Sequence, residues 1–232
     1  MELKEQNGQF VYTDGVAIEE QMLAIAQEYP DKQAADYIAH DSHYTINNTF
    51  SPVRHNLLNW YPFKPNADIL EVGAGMGSMT GLLCDVGSSV TAVEHNAARA
   101  DIIRARFPKR KNLTVISADI TTWQTQNRYD YVVVVGVLEY AAIFSGGVGN
   151  EPHITFLEKL RRLLKPDGVV LLAIENRFGL KYWVGAAEDH LQKPFVGIKG
   201  YEQSGTAKTF SRAELDELFQ LSGFAARRFY YV

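Results

Sequence analysis

Ile69-Leu70-Glu71-Val72-Gly73-Ala74-Gly75-Met76-Gly77-Ser78 is an apolar run that passes into a glycine-rich turn, and the residues after it read as a helix. Glycines let the backbone turn sharply and approach a ligand with no Cβ in the way. The N–H groups at the start of the following helix offer donors to a polar or acidic ligand. A dinucleotide fingerprint, Gly-x-Gly-x-x-Gly, counted from Gly73 and Gly75 requires glycine at position 78, where Ser78 stands. The extra glycine is Gly77 instead, and Glu71 closes the strand. A carboxylate there repels a pyrophosphate and suits a ligand that carries a cationic amino group.

Outward from this turn, short apolar runs alternate with helix-like stretches, the pattern of a parallel sheet wrapped by helices on both faces. Strands are expected at 68–72, 90–94, 113–117, 130–135, 168–174 and 224–231, and helices at 77–86, 96–107, 153–164 and 211–222. The run Tyr131-Val132-Val133-Val134-Val135 is apolar throughout, as a strand buried on both faces should be. Ser211 and Glu214 have the form of a capping box, and Pro166-Asp167-Gly168 that of a turn. Before position 66 two helices are expected, at 16–29 and 52–60, giving an N-terminal helical extension over 1–65 ahead of a main domain over 66–232. The stretch 176–209 is rich in Gly, Lys and aromatics and is too long for an idle connection.

Two further acids stand at strand ends. Glu94 lies 21 residues beyond Gly73, where a carboxylate accepts hydrogen bonds from ribose hydroxyls. Ser117-Ala118-Asp119-Ile120 offers an acceptor and an apolar neighbour, which an adenine amino group and ring face require. Ligands of open α/β sheets bind at the carboxyl ends of the strands, and three acids fall there in succession.

Composition narrows the class. The chain has 232 residues, 46% hydrophobic and 22% charged, with a net charge of −4 that exerts no general pull on nucleic acid or anionic lipid. The single cysteine, Cys84, excludes an intrachain disulfide and a thiolate cluster, and it falls on an apolar helix face. No apolar run is long enough for a membrane span, and residues 1–7 carry no signal-peptide core, so a cytoplasmic protein is expected. No His or carboxylate pair recurs at ligand spacing, so no metal is expected. The basic run Arg104, Arg106, Lys109, Arg110, Lys111 sits at a helix C-terminus, where cations offset the helix dipole and stay solvated.

Glu71-x-Gly73-x-Gly75-x-Gly77, Glu94, Asp119 and the segment 131–140 resemble the successive motifs of class I S-adenosylmethionine-dependent methyltransferases. The resemblance runs from about position 56 to the C-terminus. It implies a Rossmann-like, mostly parallel sheet of seven strands, with S-adenosyl-L-methionine across the ends of the first four. By position, Gly73, Ala74, Gly75 and Gly77 line the methionine and ribose part and Glu71 helps receive the amino group. Glu94, with His95 beside it, holds the ribose, and Asp119 with Ile120 holds the adenine. Gly136 to Leu138 close over the methionine end. Tyr44, His40 and His43 belong to an N-terminal segment that folds over the cofactor.

A narrower similarity, to a bacterial subgroup that accompanies glycosyltransferases of cell-surface polysaccharide pathways, rests on three pieces. They are 175–183, Glu188-Asp189-His190, and Gly200-Tyr201 with Thr209-Phe210-Ser211 and the closing Phe229-Tyr230-Tyr231. It implies O-methylation of a saccharide or glycan end, a fused or associated glycosyltransferase, and a chain that forms the front of a longer protein without its last strand. Two other functions compete: methylation of another small metabolite, a protein or tRNA, and a cofactor-binding scaffold for the glycosyltransferase. A hydroxyl acceptor benefits from a base. His190, Asp189 and Glu139 are the candidates, with Tyr140 shaping the acceptor pocket. His153 begins a helix and is expected to have a structural or solvent role. Tyr182, Trp183, Phe195 and Tyr201 either stack on sugar faces or pack a small lid.

Overall fold

The computed structural model describes residues 2–6, 9–30, 44–201 and 206–231. The chain divides into two compact units, residues 1–133 with 164–171, and residues 134–163 with 172–231. Strands β1 (Glu2–Gln6) and β2 (Gln9–Thr13) pair antiparallel in a small sheet of their own. Five more strands, β3 (Ala67–Val72), β4 (Gly87–Glu94), β5 (Leu113–Ser117), β6 (Tyr129–Val135) and β7 (Leu164–Ala173), form an all-parallel sheet in the order β5-β4-β3-β6-β7. Helices surround it, so the fold is the expected Rossmann-like α/β architecture.

Ile69, Leu70 and Val72 of β3, Val90, Ala92 and Val93 of β4, and Val132 to Val134 of β6 are all buried. Consecutive burial means that both faces are covered, and each buried Val, Leu or Ile contributes about 1.5–3 kcal/mol. Parallel register then aligns the strand ends. Val72 lies opposite Val93 and Glu94 opposite Ser117. Gly73 N–H donates to Val93 O at 2.9 Å, and Ala118 N–H to Glu94 O at 3.0 Å. The turns after β3, β4 and β5 therefore leave the sheet side by side.

The N-terminal elements pack on the same unit. Helix Val16–Glu28 lies against helix Ala97–Arg106, and Met22, Ile25 and Ala26 share a core with Ile46, Phe50, Ile102 and Met76 of the glycine-rich turn. Arg99 is buried with both of its acidic partners, Asp14 and Glu19. A buried guanidinium needs such partners, because removing one leaves an uncompensated charge.

Five expectations about the elements need correction. The N-terminal extension opens with the β1–β2 hairpin rather than being helical throughout. The stretch 52–60 forms a 3-10 helix over Pro52–Leu57, capped by the Ser51 hydroxyl, and not an α-helix. Helix 77–86 begins only at Thr80, since Gly77 has φ +81°, outside the helical region. Pro166-Asp167-Gly168 lies within β7, whose start is held by Lys165 Nζ donating to Asp68 and Asp130 at 2.7 Å each.

The largest departure is 224–231, which forms no strand. A strand needs a ladder partner, and the contacts of this segment turn back on the preceding helix, Arg212–Leu221. Phe224 packs edge-on against Phe219 at 5.1 Å, and Arg227 Nε donates to Asp216 at 2.8 Å. The capping box stands as expected: Ser211 Oγ accepts from Glu214 N–H at 3.2 Å, and Glu214 Oε2 from Ser211 N–H at 2.7 Å.

Candidate functional site

The first unit carries an acid-rimmed cradle. Glu94, buried at the end of β4, accepts the Gly75 N–H on Oε2 at 2.7 Å and the Asn96 N–H on Oε1 at 2.9 Å. It thereby holds the glycine-rich turn and the start of helix Ala97–Arg106 in one place, and the Asn96 side chain caps that helix through Ala98 N–H at 2.9 Å. Each carboxylate oxygen has two acceptor directions, so one remains on each for a diol. Burial pushes the Glu94 carboxyl above its ordinary range.

Gly75 has φ +57°, and a Cβ there would meet only open space, so the glycine serves the turn and leaves room beside it. Gly77 is different. A Cβ would lie 3.0 Å from the Phe107 ring and 3.3 Å from Arg106 Nη1, so the packed helix end demands glycine there. We expect Gly77→Ala to lower stability by about 1–2 kcal/mol, the cost of a Cβ in left-handed backbone. A denaturant melt matching the wild type would contradict this packing role.

Glu71 is fully enclosed, with its Oε2 accepting the Thr80 hydroxyl at 2.6 Å, and burial pushes its carboxyl up to about 8. A neutral acid in that position gains a proton-linked affinity for a cationic group. Asp119, at the end of β5, binds Thr121 N–H and hydroxyl through Oδ1, both at 2.8 Å, and Ile120 beside it is buried. Ala74 is buried, while Gly73 and His95 are half-buried on the same three turns. Tyr44 heads helix Tyr44–Phe50 and is 68% exposed. His40 and His43 lie outside the described residues. An open glycine turn, two buried carboxylates and a buried apolar residue at adjacent strand ends form a set whose chemistry fits S-adenosylmethionine.

Arg106 departs from its expected solvated role. It is buried, donates through Nη1 to Met76 O at 2.5 Å, and stacks over Phe50 at 4.7 Å and Phe107 at 4.9 Å. Arg104 and Arg110 pair with Asp101 and Asp85 at 2.7 Å.

The second unit holds a separate titratable cluster. Glu139 sits in the turn Leu138–Tyr140 after β6, only 2% exposed, with Oε2 lacking any partner among the described residues. Burial, assisted by the nearby Glu175 carboxylate, pushes its carboxyl up to about 8. One ligand atom each from Glu139, Glu175 and His190 lie within 4.8 Å of one another. His190 Nδ1 is 3.1 Å from the Tyr140 hydroxyl, and its Nε2 is buried without a partner among the described residues. Glu188 fixes the loop: its Oε2 accepts His190 N–H at 2.9 Å and Leu191 N–H at 2.7 Å, and its Oε1 the Tyr201 hydroxyl at 2.9 Å.

Of the three expected catalytic residues, His190 and Glu139 come together and Asp189 does not join them. Its carboxylate binds Lys181 Nζ at 2.8 Å and the Tyr182 hydroxyl, which hold it below the usual carboxylate range. Leu138 is buried and Gly136 is exposed. The aromatics divide: Tyr182 is buried and Tyr201 is bonded to Glu188 and Thr209, while Phe178, Trp183 and Phe195 are exposed. His153 is fully buried rather than in solvent, enclosed against Phe210 at 5.1 Å, and burial lowers its imidazole to about 4. Glu175 and Glu188 escaped the sequence reading as site residues, although both stand in the stretches that carry the narrower similarity.

A family model for the methyltransferase domain matches residues 43–228. The ribosomal RNA small subunit methyltransferase A of Borreliella afzelii is 29% identical over 98 residues, which is 42% of this chain and 34% of that protein. The chain thus spans about a third of the length of the curated relatives it matches. Among solved structures, DhpI bound to S-adenosylmethionine superposes with a TM-score of 0.54 at 19% identity, covering 92% of this chain and 91% of that one. The N-methyltransferase NodS of Bradyrhizobium japonicum, bound to S-adenosylhomocysteine, gives 0.51 at 19%, covering 75% and 83%. No helix among the described residues is long and apolar enough to cross a membrane. The chain belongs to the methyltransferase domain family, and within it to the class I, S-adenosylmethionine-dependent enzymes.

Proposed function

We propose that the chain methylates a hydroxyl of a saccharide or another small-molecule acceptor. The observation that carries this reading is the convergence of Glu139, Glu175 and His190 beside the Tyr140 hydroxyl. Bound S-adenosylmethionine supplies an activated sulfonium methyl, so positioning accounts for much of the acceleration. A hydroxyl acceptor still has to lose a proton as its oxygen attacks the methyl carbon and the carbon–sulfur bond breaks toward sulfur. The His190 cluster receives that proton.

In this reading Glu94 binds both ribose hydroxyls, and Asp119 with Ile120 the adenine. Gly73, Ala74 and Gly75 border the methionine, and Glu71 answers the amino group. Gly136 and Leu138 remain the proposed closing residues. The exposed Phe178, Trp183 and Phe195 suit sugar faces. A fused or associated glycosyltransferase is the partner this acceptor implies. Ribosomal RNA, the substrate named for several relatives, fits less well: the net charge is −4, Arg106 is buried, and Arg104 and Arg110 are paired with aspartates.

Glu71 adds a pH test. With a carboxyl at about 8 in the free protein, it is protonated at neutral pH. A cationic amino group lowers that value, so binding releases up to about one proton, and affinity rises with pH until it levels near 8. Calorimetry in two buffers of different ionisation enthalpy measures the release. PH-independent affinity with no proton released would separate Glu71 from the amino group. The acceptor itself is tested with methyl-labelled cofactor and a panel of sugar nucleotides and oligosaccharides. Label in a saccharide is expected; label only in RNA or protein would sink the saccharide assignment.

A further inference from the structure

We propose that Glu139, Glu175 and His190 form a binding site for a divalent transition-metal cation such as Mn²⁺ or Zn²⁺. Three features of the second unit point there. First, the three ligand atoms lie within 4.8 Å of one another. Metal–ligand bonds of about 2.1 Å place ligand atoms about 3–4 Å apart, so small side-chain movements close the set on one ion. Second, Glu139 Oε2 and His190 Nε2 are both buried and have no partner among the described residues. Buried polar atoms almost always have a partner, and one cation between these two satisfies both. Third, the far side of the imidazole is already occupied, with Nδ1 3.1 Å from the Tyr140 hydroxyl. An Nδ1–H donated to that oxygen selects the tautomer whose lone pair is on Nε2, the arrangement that ligating histidines usually show.

The surroundings support the same assignment. Glu188 clamps the backbone at His190 and Leu191, so the imidazole is delivered on a fixed loop. Two carboxylates and a neutral imidazole match a 2+ charge, and mixed nitrogen and oxygen ligands suit Mn²⁺ or Zn²⁺ better than a soft ion. Glu175 is exposed, so the site opens on its side and leaves a coordination position for water or an acceptor oxygen. The ion's role in turnover rests only on the hydroxyl acceptor of the reading above: with the ion bound, His190 is a ligand and not the base, the charge of the ion lowers the pKa of the hydroxyl beside it, and the proton leaves to water. Ion binding itself does not depend on that reading.

The test is a titration of the chelator-treated chain with MnCl₂, followed by the loss of the free Mn²⁺ paramagnetic resonance signal, and with ZnCl₂ by calorimetry. We expect one equivalent to bind. Glu175→Gln, an exposed and conservative change, should weaken binding at least tenfold, and His190→Ala should abolish it. Absence of saturable binding of either ion to the wild type, or equal affinity in Glu175→Gln, would overturn the site. Methyl transfer separates the two ideas. Full turnover of the metal-free chain, lost in His190→Ala, removes the ion and leaves the base reading intact. Stoichiometric ion binding with no transfer to any hydroxyl removes that reading and leaves the ion site.

Discussion

Replacing His190 by alanine is expected to lower turnover by about 10²- to 10⁴-fold, the usual contribution of a positioned general base. Affinity for S-adenosylmethionine should be unchanged, because the residues proposed to hold its ribose, adenine and amino group lie on the turns after β3, β4 and β5 and do not include His190. The variant should fold, since Glu188 holds the backbone N–H of His190 and not its ring. Tyr140 would lose its 3.1 Å partner, a minor cost for a half-buried hydroxyl. Single-turnover transfer of a labelled methyl group separates chemistry from binding. Wild-type turnover in the variant would show that the proton goes elsewhere.

The second large effect is expected at Glu94. Glu94→Ala removes the proposed ribose acceptor, and charged hydrogen bonds of this kind contribute about 1.5–3 kcal/mol. At about 1.4 kcal/mol per tenfold change, affinity for S-adenosylmethionine should fall between about tenfold and a little over a hundredfold. Part of any loss could come from the turn, because Glu94 also holds the N–H groups of Gly75 and Asn96. Glu94→Gln keeps the shape and one acceptor oxygen but loses the charge. The introduced amide nitrogen cannot accept the N–H group it faces, so a denaturant melt of each variant reads the turn, and a loss of affinity in a variant that melts like the wild type reports the ribose contact. Calorimetry that finds both variants at wild-type affinity would take Glu94 out of the binding site.

The sequence was most legible where function and local geometry coincide. Continuous apolar runs such as 131–135 can be covered on both faces only inside a parallel sheet, and the glycine spacing after β3 marks a turn whatever surrounds it. Glu71, Glu94 and Asp119 could be placed because strand ends are local features. Contacts between distant parts of the chain could not. Glu139, Glu175 and His190 meet only after folding, and nothing in their spacing announces it. Residues 224–231 have the composition of a strand, but a strand exists only with a neighbour, and Arg227 binds Asp216 instead. Arg106 belongs to a basic run on paper, yet helix geometry turns it onto Met76 and Phe50, and Arg104 toward Asp101. Asp189 sits beside His190 in sequence, while its charge is spent on Lys181.

The most direct test of the account is a crystal structure of the chain with S-adenosylhomocysteine. Both ribose hydroxyls should lie within hydrogen-bond distance of the Glu94 carboxylate, with the adenine amino group beside Asp119 and the methionine portion along Gly73 to Gly75. A ribose bound away from Glu94, with that carboxylate still engaged only by Gly75 and Asn96, would contradict it.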